Sequence, residues 1–485
     1  MASSTNRFLI IIFVALGSLT YGYCASIIAT TLGQPTFISY FALDTRSNAA
    51  SLTGAINGLF QAGGLIGTLC SSFLADSLGR RKAILIAAIV TVIGGALQAG
   101  SVAIAMYIVM RLVTGWGIVR IGALVTLVPV YMSEISPPEV RGLLVGMHGV
   151  LICSGYALAS WVGLGFYFVQ AGGAQWRIPL AIQCLPPLLL TAGIMFLPES
   201  PRWLLTKDKI DEAFLAFSRT RDSNDNRLQS EFALLTEQVR LETYETPSWM
   251  DFARQPGLRK RCIIGWLTMF GAQGTATLVI NNYGPSLYSS LGFGTVQQLL
   301  IQCGWITVCP FGNWINALVV DRLGRTRLLM FGFAGCVLAL IGECITVSIY
   351  QRTGQRTAAS AAVFFLFMHI AAFSSSVDAT SYIYASEIFP TPARAKGMSI
   401  SVSGLFVATI IFLQAAPTAF AAIGWQYYLV FICITSVLFV VVWTWFPETT
   451  KQSLEDVAVL FNDIPKADFD HKDTVNVNEH DFPKQ

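Results

Sequence analysis

The 485-residue chain is 54% apolar and only 12% charged, with a mean hydropathy of +0.59, whereas soluble domains average about a quarter charged residues. That much apolar surface cannot be buried inside one water-soluble core, so the chain is solvated largely by lipid. The net charge of +3 and the lack of a basic stripe interleaved with aromatics give no ground for nucleic-acid binding. The absence of P-loop, HExxH and GxSxG motifs likewise leaves no cofactor, metal or catalytic constellation for an enzyme.

The polar start, Met1 to Arg7, runs straight into apolar sequence. No small-residue cleavage site precedes Tyr21, which argues against a cleaved signal peptide. A membrane-spanning helix needs roughly 20 mostly apolar residues. Runs of that kind predict helices over 8–31, 51–74, 83–100, 103–132, 142–169 and 177–197. A second set falls over 262–288, 296–320, 328–350, 358–387, 397–422 and 426–446, making twelve in all. The fold class expected is an all-α membrane protein of two pseudo-symmetric six-helix bundles.

Between the sets lies a long polar stretch, Glu199 to Arg261. It contains two short amphipathic helices, Asp208–Thr220 and Arg227–Glu242, the second with apolar Phe232, Leu234, Leu235 and Val239. The tail after Leu460 is polar and reads as disordered. The expected organisation is therefore an N-terminal half (1–198), a linker (199–261), a C-terminal half (262–450) and a tail (451–485). Most of the ten cysteines sit in apolar runs (Cys70, Cys153, Cys184, Cys336, Cys433), with no CxxC or Cys/His ligand spacing. They read as small packing residues, and no metal is expected.

Basic residues set the expected topology. Arg80, Arg81 and Lys82 follow the second helix, Arg141 the fourth, Arg322, Arg325 and Arg327 the eighth, and Arg394 and Lys396 the tenth. These loops and the linker share one side, and the opposite loops carry few basic residues (Arg46, Arg352, Arg356). Both termini are expected in the cytoplasm. The halves also repeat. Asp76-Ser-Leu-Gly79-Arg80-Arg81 matches Asp321-Arg-Leu-Gly324-Arg325, and Glu134-x-x-Pro137-x-x-x-Arg141 matches Glu387-x-x-Pro390-x-x-x-Arg394. Repeats of this sort build rocking carriers that hold a solute near mid-membrane between the halves.

Over nearly its whole length the chain resembles the sugar porter family of the major facilitator superfamily. The matching motifs are DxLGRRK (76–82), RxxxGxG (111–117), PVYMSEISPPEVRG (129–142), WRIPLAIQ (176–183), PESPRW (198–203), DRLGR (321–325), EIFPTPAR (387–394) and PETT…LED (447–456). Helices 1, 4 and 5 look most like a fungal branch of hexose and lactose permease-like proteins. The resemblance implies alternating access with a charged cytoplasmic gate formed from Asp76, Arg80, Arg111, Glu134, Arg141, Glu199, Arg202, Asp321, Arg325, Glu387 and Arg394. Within it, Glu134, Arg80 and Arg394 form one network, and Glu387, Arg325 and Arg141 its mirror.

A solute site needs polar groups in apolar helices. The seventh helix offers Gln273, Thr275, Thr277, Asn281, Asn282 and Tyr283, a mixture of donors, acceptors and an aromatic that suits a sugar. By resemblance, Gln273 aligns with a sugar-binding glutamine, Tyr283 with one of two paired tyrosines, and Tyr382 with a tryptophan against the sugar. Asn282 replaces the second tyrosine. For any one of these, packing between helices is an equal alternative.

Three features depart from the family. The first helix has Cys24 where proton-coupled members carry aspartate. A thiol, with a reference pKa of about 8.5, stays protonated and cannot replace that carboxylate. Transport is then facilitative, or another intramembrane acid couples: Asp378 or Glu343, with His148 and His369 behind them. The fifth helix has Gly149 where the family places a sugar-binding glutamine, which leaves His148 to compensate or the substrate to differ. The fourth helix holds three extra residues, Val119-Arg120-Ile121, that read as a splice-site artefact or a bulge. The expected partners are a mono- or disaccharide, the lipid bilayer and, with coupling, protons. The alternative is another small organic solute: a polyol, a quinate-like acid or a secondary metabolite. The chain is expected to act as a monomer in the plasma membrane.

Overall fold

The computed structural model describes residues 2–120, 128–135, 141–169, 171–220, 228–245, 247–450, 452 and 460–461. Backbone polar groups inside hydrocarbon must be satisfied within their own segment, so each long apolar run becomes a helix. Nine apolar stretches among the described residues are long enough to cross a membrane. One of them, Arg394–Trp445, is two helices back to back. With Ala49–Leu78 and the span beginning at Ile104, the twelve expected helices are accounted for.

In the first half these are α1 (Ala2–Leu32), α2 (Ala49–Leu78), α3 (Arg80–Ala99), α4 (Ile104–Arg120, with a further segment Val128–Ile135), α5 (Arg141–Tyr167) and α6 (Ala174–Ile182 with Leu185–Gly193). In the second half they are α7 (Pro256–Gln273 with Thr277–Ser290), α8 (Thr295–Leu323), α9 (Arg325–Thr353), α10 (Arg356–Glu387), α11 (Arg394–Ile423) and α12 (Tyr427–Trp445). No strand occurs among the described residues. Arg120 closes the first segment of α4, while Ile121 and the rest of the 121–127 stretch lie outside the described residues.

The packing repeats with the sequence. In the first half α1 packs on α5, α2 on α4, and α3 on both α4 and α6. In the second, α7 packs on α11, α8 on α10, and α9 on both α10 and α12. Across the halves α2 meets α11 and α5 meets α8. Each contact maps onto its counterpart by adding six to the helix number. Small residues permit this closeness, since lipid offers helices no hydrophobic drive to associate. A side chain at Gly22 of α1 would strike the Ile152 carbonyl on α5, and one at Gly115 of α4 the Phe60 carbonyl on α2. The glycines of the RxxxGxG motif are therefore contact points for helix packing.

Two features were not foreseen. A short helix, Pro35–Tyr40, follows α1 and buries Phe37 edge-on against Tyr107 and Trp176. The linker forms four helices, Pro201–Thr206, Ile210–Arg219, Leu228–Glu245 and Asp251–Arg254, rather than two. Leu204, Leu205, Ala213, Ala216 and Val239 give the linker a small core of its own, with Phe232 and Leu235 against it, while Leu234 faces out.

Candidate functional site

The expected continuous seventh helix is broken. Its first segment stops at Gln273 and its second starts at Thr277, and Ala276 between them takes φ +72°, a left-handed conformation costly for a residue with a Cβ. The break frees backbone carbonyls in the membrane interior, and neighbouring helices satisfy them. His369 Nε2 of α10 lies 2.7 Å from the Thr275 carbonyl, and Thr435 of α12 donates to the Gly274 carbonyl at 3.2 Å. The Thr275 and Thr277 hydroxyls bond each other at 2.9 Å. The role of His369 is thus to cap the break.

Around the break, the buried polar atoms without a protein partner include Gln273 Oε1, Asn281 Nδ2 and Gln302 Oε1, and the Nδ1 of His369. Asn281 Oδ1 joins three helices, accepting from Gln302 of α8 at 3.1 Å and from Ser26 of α1 at 3.4 Å. Asn282 donates to the Leu278 carbonyl of its own helix. The Tyr283 hydroxyl accepts from Asn57 of α2 at 2.9 Å and donates to the Leu413 carbonyl of α11 at 2.8 Å, so its polar atom is fully used as a tie. Trp161 of α5 bonds Thr307 of α8 at 3.1 Å. These contacts join the halves away from the end that carries the charged motifs.

His148 is also committed, its Nδ1 lying 2.7 Å from the Ser18 hydroxyl of α1. Tyr382 packs partly buried against a core cluster in which residues of both halves meet, among them Tyr21, Ile152, Met269 and Phe406. A Cβ at Gly149 would meet nothing within 4 Å. Gly149 stands one turn before Cys153, on the same helix face, the face turned toward α8 and α10. Gly149→Gln is therefore expected to fit without loss of stability. A restored donor and acceptor should lower the KM for a hexose roughly 2- to 10-fold, the worth of one net hydrogen bond. An unchanged KM in a variant with normal surface expression would show that this position does not touch the solute.

Asp378 begins the last segment of α10, directly after a π-helical turn, Phe373–Val377. No glycine or proline lies between Arg356 and Glu387, and the π turn supplies the irregularity in this helix. Asp378 Oδ2 accepts from Asn313 of α8 at 2.8 Å and faces the Cys153 and Cys309 sulfurs. Glu343 lies buried in α9 beside Tyr288 and Tyr428, inside the second half rather than between the halves.

Arg111 is placed apart from the other charged motif residues. It is fully buried between α1, α2 and α4, donating to the carbonyls of Cys24 (2.9 Å) and Ile56 (3.4 Å), with its guanidinium over the Phe60 ring. The guanidinium therefore lies against the backbone of the Cys24 position.

At the motif end two similar clasps form, each within its own half. Arg80 of α3 meets Glu134 of α4 with two bonds of 3.2 Å. Arg325 of α9 meets Glu387 of α10 at 2.9 and 2.8 Å, and Asp321 also reaches Arg325 at 2.8 Å. Gly79 and Gly324, at φ +92° and +95°, make the matching turns before α3 and α9. Glu199 then accepts from the Arg81 N–H, as Glu448 does from those of Arg325 and Thr326. PESPRW and PETT thus each place a carboxylate on the positive end of a helix. The Tyr131 hydroxyl bonds the Pro198 carbonyl and that of Tyr384 the Pro447 carbonyl, fastening the same two motifs. Arg202 lies in the linker, 3.5 Å from Gln238, and Arg394 opens α11. The side chains of Asp76 and Arg141 lie outside the described residues.

Glu448 and both tyrosines were missed as individual residues, although the repeated Pro-Glu motifs carried the signal. Burial pushes the Glu448 carboxyl up, but bonds from Thr326, Thr450 and the Arg325 and Thr326 N–H groups outweigh it and hold its pKa at about 2. A lowered carboxylate stabilises fully above its unfolded value near 4.3 and loses that effect progressively as pH falls from there through about 2. Glu448→Gln is therefore expected to lose about 1–3 kcal/mol, equally at pH 7 and pH 5, in thermal melts. A loss confined to one of those pH values would contradict this account.

The family model described as Sugar (and other) transporter matches residues 10–461. The MFS-type transporter criB of Aspergillus cristatus is 33% identical over 477 residues, covering 96% of this chain and 95% of that protein. The arabinose-proton symporter of Bacillus subtilis (strain 168) is 29% identical over 475 residues, covering 95% and 96%. Among solved structures, the partially occluded, inward-open xylose transporter XylE of Escherichia coli superposes with a TM-score of 0.78 at 21% identity, over 92% of this chain and 99% of that one. The fold is that of the major facilitator transporters, and the chain belongs to their sugar porter family.

Proposed function

We propose that this protein is a facilitative carrier of a mono- or disaccharide, working by alternating access between halves 1–198 and 262–450. The observation that carries this reading is the broken α7, whose Gln273 Oε1 and Asn281 Nδ2, with Gln302 Oε1 from α8, offer two acceptors and a donor that the protein leaves unused. A buried polar group without a partner is costly, and a solute rich in hydroxyls supplies both kinds of bond. The motif end faces the cytoplasm, in keeping with the distribution of basic loops. There the Arg80–Glu134 and Arg325–Glu387 clasps, with Asp76, Arg141 and Arg394, form a gate whose helix ends separate as the halves rock. The linker (199–261) spans the halves, the tail (451–485) stays in the cytoplasm, and a monomer in the plasma membrane suffices.

Facilitation rests on Cys24, which leaves Arg111 without a carboxylate among its described partners. The test is uptake of labelled glucose, xylose, lactose, cellobiose, glycerol and quinate by yeast lacking its own hexose carriers, with and without a protonophore. Saturable sugar uptake that survives the protonophore is expected. Cys24→Asp should make that uptake protonophore-sensitive. Sensitivity in the parent would move coupling to Asp378 or Glu343. The open space beside Gly149 favours a second reading, a different organic solute such as quinate. Uptake of quinate or glycerol without any sugar, by protein at the cell surface, would replace the first reading with the second.

A further inference from the structure

Three side chains remote in sequence converge between the halves. Cys153 on α5 and Cys309 on α8 hold their sulfurs 3.2 Å apart. Asp378 on α10 brings Oδ2 to 3.7 Å from the first and 3.8 Å from the second. All three donor atoms lie within 4.8 Å of one another, and among the described residues this is the one such group of His, Cys, Asp or Glu. Neither cysteine is in a disulfide. Asn313, one turn beyond Cys309, points its Nδ2 into the group, 2.8 Å from Asp378, 3.1 Å from Cys153 and 3.6 Å from Cys309.

The spacing suits a tetrahedral d10 cation. Metal–sulfur bonds of about 2.3 Å and metal–oxygen bonds of about 2.0–2.2 Å put tetrahedral donors roughly 3.5–3.8 Å apart. The two sulfur–carboxylate separations, 3.7 and 3.8 Å, fall in that range, while the sulfurs at 3.2 Å and the Asn313–Asp378 pair at 2.8 Å must spread by roughly half an ångström to admit an ion. Asn313 supplies the fourth donor. The two ends of its amide are nearly the same shape, so a half-turn of the side chain places Oδ1 where Nδ2 now lies. Without a cation three acceptors face the site and an N–H is the fitting group; with a cation the carbonyl is. On loading, both thiols give up their protons to water. The two thiolates and the carboxylate then surround a divalent ion with a net charge of −1. Thiolate donors select soft or borderline ions over Mg2+ and Ca2+.

We propose that Cys153, Cys309, Asp378 and Asn313 form a site for a soft divalent cation, Zn2+ or Cd2+, that pins the two halves together. Because α5 belongs to one half and α8 and α10 to the other, an occupied site stops them from rocking. That consequence rests on the alternating-access reading, whereas the site itself does not depend on which solute is carried.

The test is titration of purified full-length protein, reduced with a phosphine and stripped with a chelator, against Cd2+. One ion per chain and a sulfur-to-cadmium charge-transfer absorption are expected. Both should vanish in Cys153→Ser/Cys309→Ser, with circular dichroism and a monodisperse elution confirming its fold. Asp378→Asn keeps both thiols and should weaken binding at least about tenfold. Cd2+ should also block solute uptake by the parent, reversibly with chelator, and spare the double variant. Parent protein that binds no Cd2+, or a double variant that binds it equally, would overturn the site. Cd2+ bound with uptake unaffected would overturn the pinning. The titration needs no transported solute, so its result holds even if the uptake panel fails.

Discussion

Glu387→Ala is expected to cost the folded protein about 1.5–3 kcal/mol, the worth of hydrogen bonds to a charged partner in a pair whose carboxylate is 31% exposed. Arg325 is only 7% exposed, and Glu387 holds it in a two-pronged bond of 2.9 and 2.8 Å. Its other carboxylate, Asp321, is mostly exposed, so water screens it and it is a weak substitute. The substitution also strands the Thr449 hydroxyl, which donates to Glu387 at 2.8 Å. The mirror pair has longer bonds, both 3.2 Å, but a more buried carboxylate, so Glu134→Ala is expected to cost a similar amount. Thermal melts followed by size-exclusion chromatography measure both. A Glu387→Ala midpoint equal to the parent's would refute the clasp as a source of stability.

Gln273→Leu should behave in the opposite way. Its Oε1 has no partner in the protein, so replacing it with an apolar side chain of similar length leaves the melting midpoint unchanged or raised. Transport should suffer instead, with the KM for the best solute in the panel rising about 5- to 150-fold, the equivalent of losing about 1–3 kcal/mol. Asn281→Leu differs, because its Oδ1 already ties Ser26 and Gln302 to α7. That variant should lose stability and transport together. If Gln273→Leu transports normally while folding normally, the solute does not bind at the α7 break.

Features that each segment determines locally are legible in the amino-acid sequence. Each of the twelve helices can be read from apolar run length, because a segment in lipid must bond its own backbone whatever surrounds it. The internal repeat is legible for a related reason. Gly79 and Gly324 make the same left-handed turn, and Glu199 and Glu448 meet the same kind of helix start, so each half needs the same residues at the same offsets.

Features that depend on partners from other helices were decided only by tertiary structure. The break in α7 lies in an apolar run that reads as continuous, and it persists because His369 and Thr435 satisfy the carbonyls it frees. Arg111 reads as a gate residue from its motif, yet it is held by the Cys24 and Ile56 carbonyls of other helices. Tyr283 reads as a sugar contact, yet both hydrogen-bonding functions of its hydroxyl go to Asn57 and Leu413. Cys153 and Cys309 read as packing residues because no ligand spacing links them in the chain. Their approach across the interface, with Asp378 alongside, arises only when α5, α8 and α10 come together. Helix formation in a membrane is a property of each segment alone, whereas a polar side chain takes its role from whichever partner the folded bundle sets beside it.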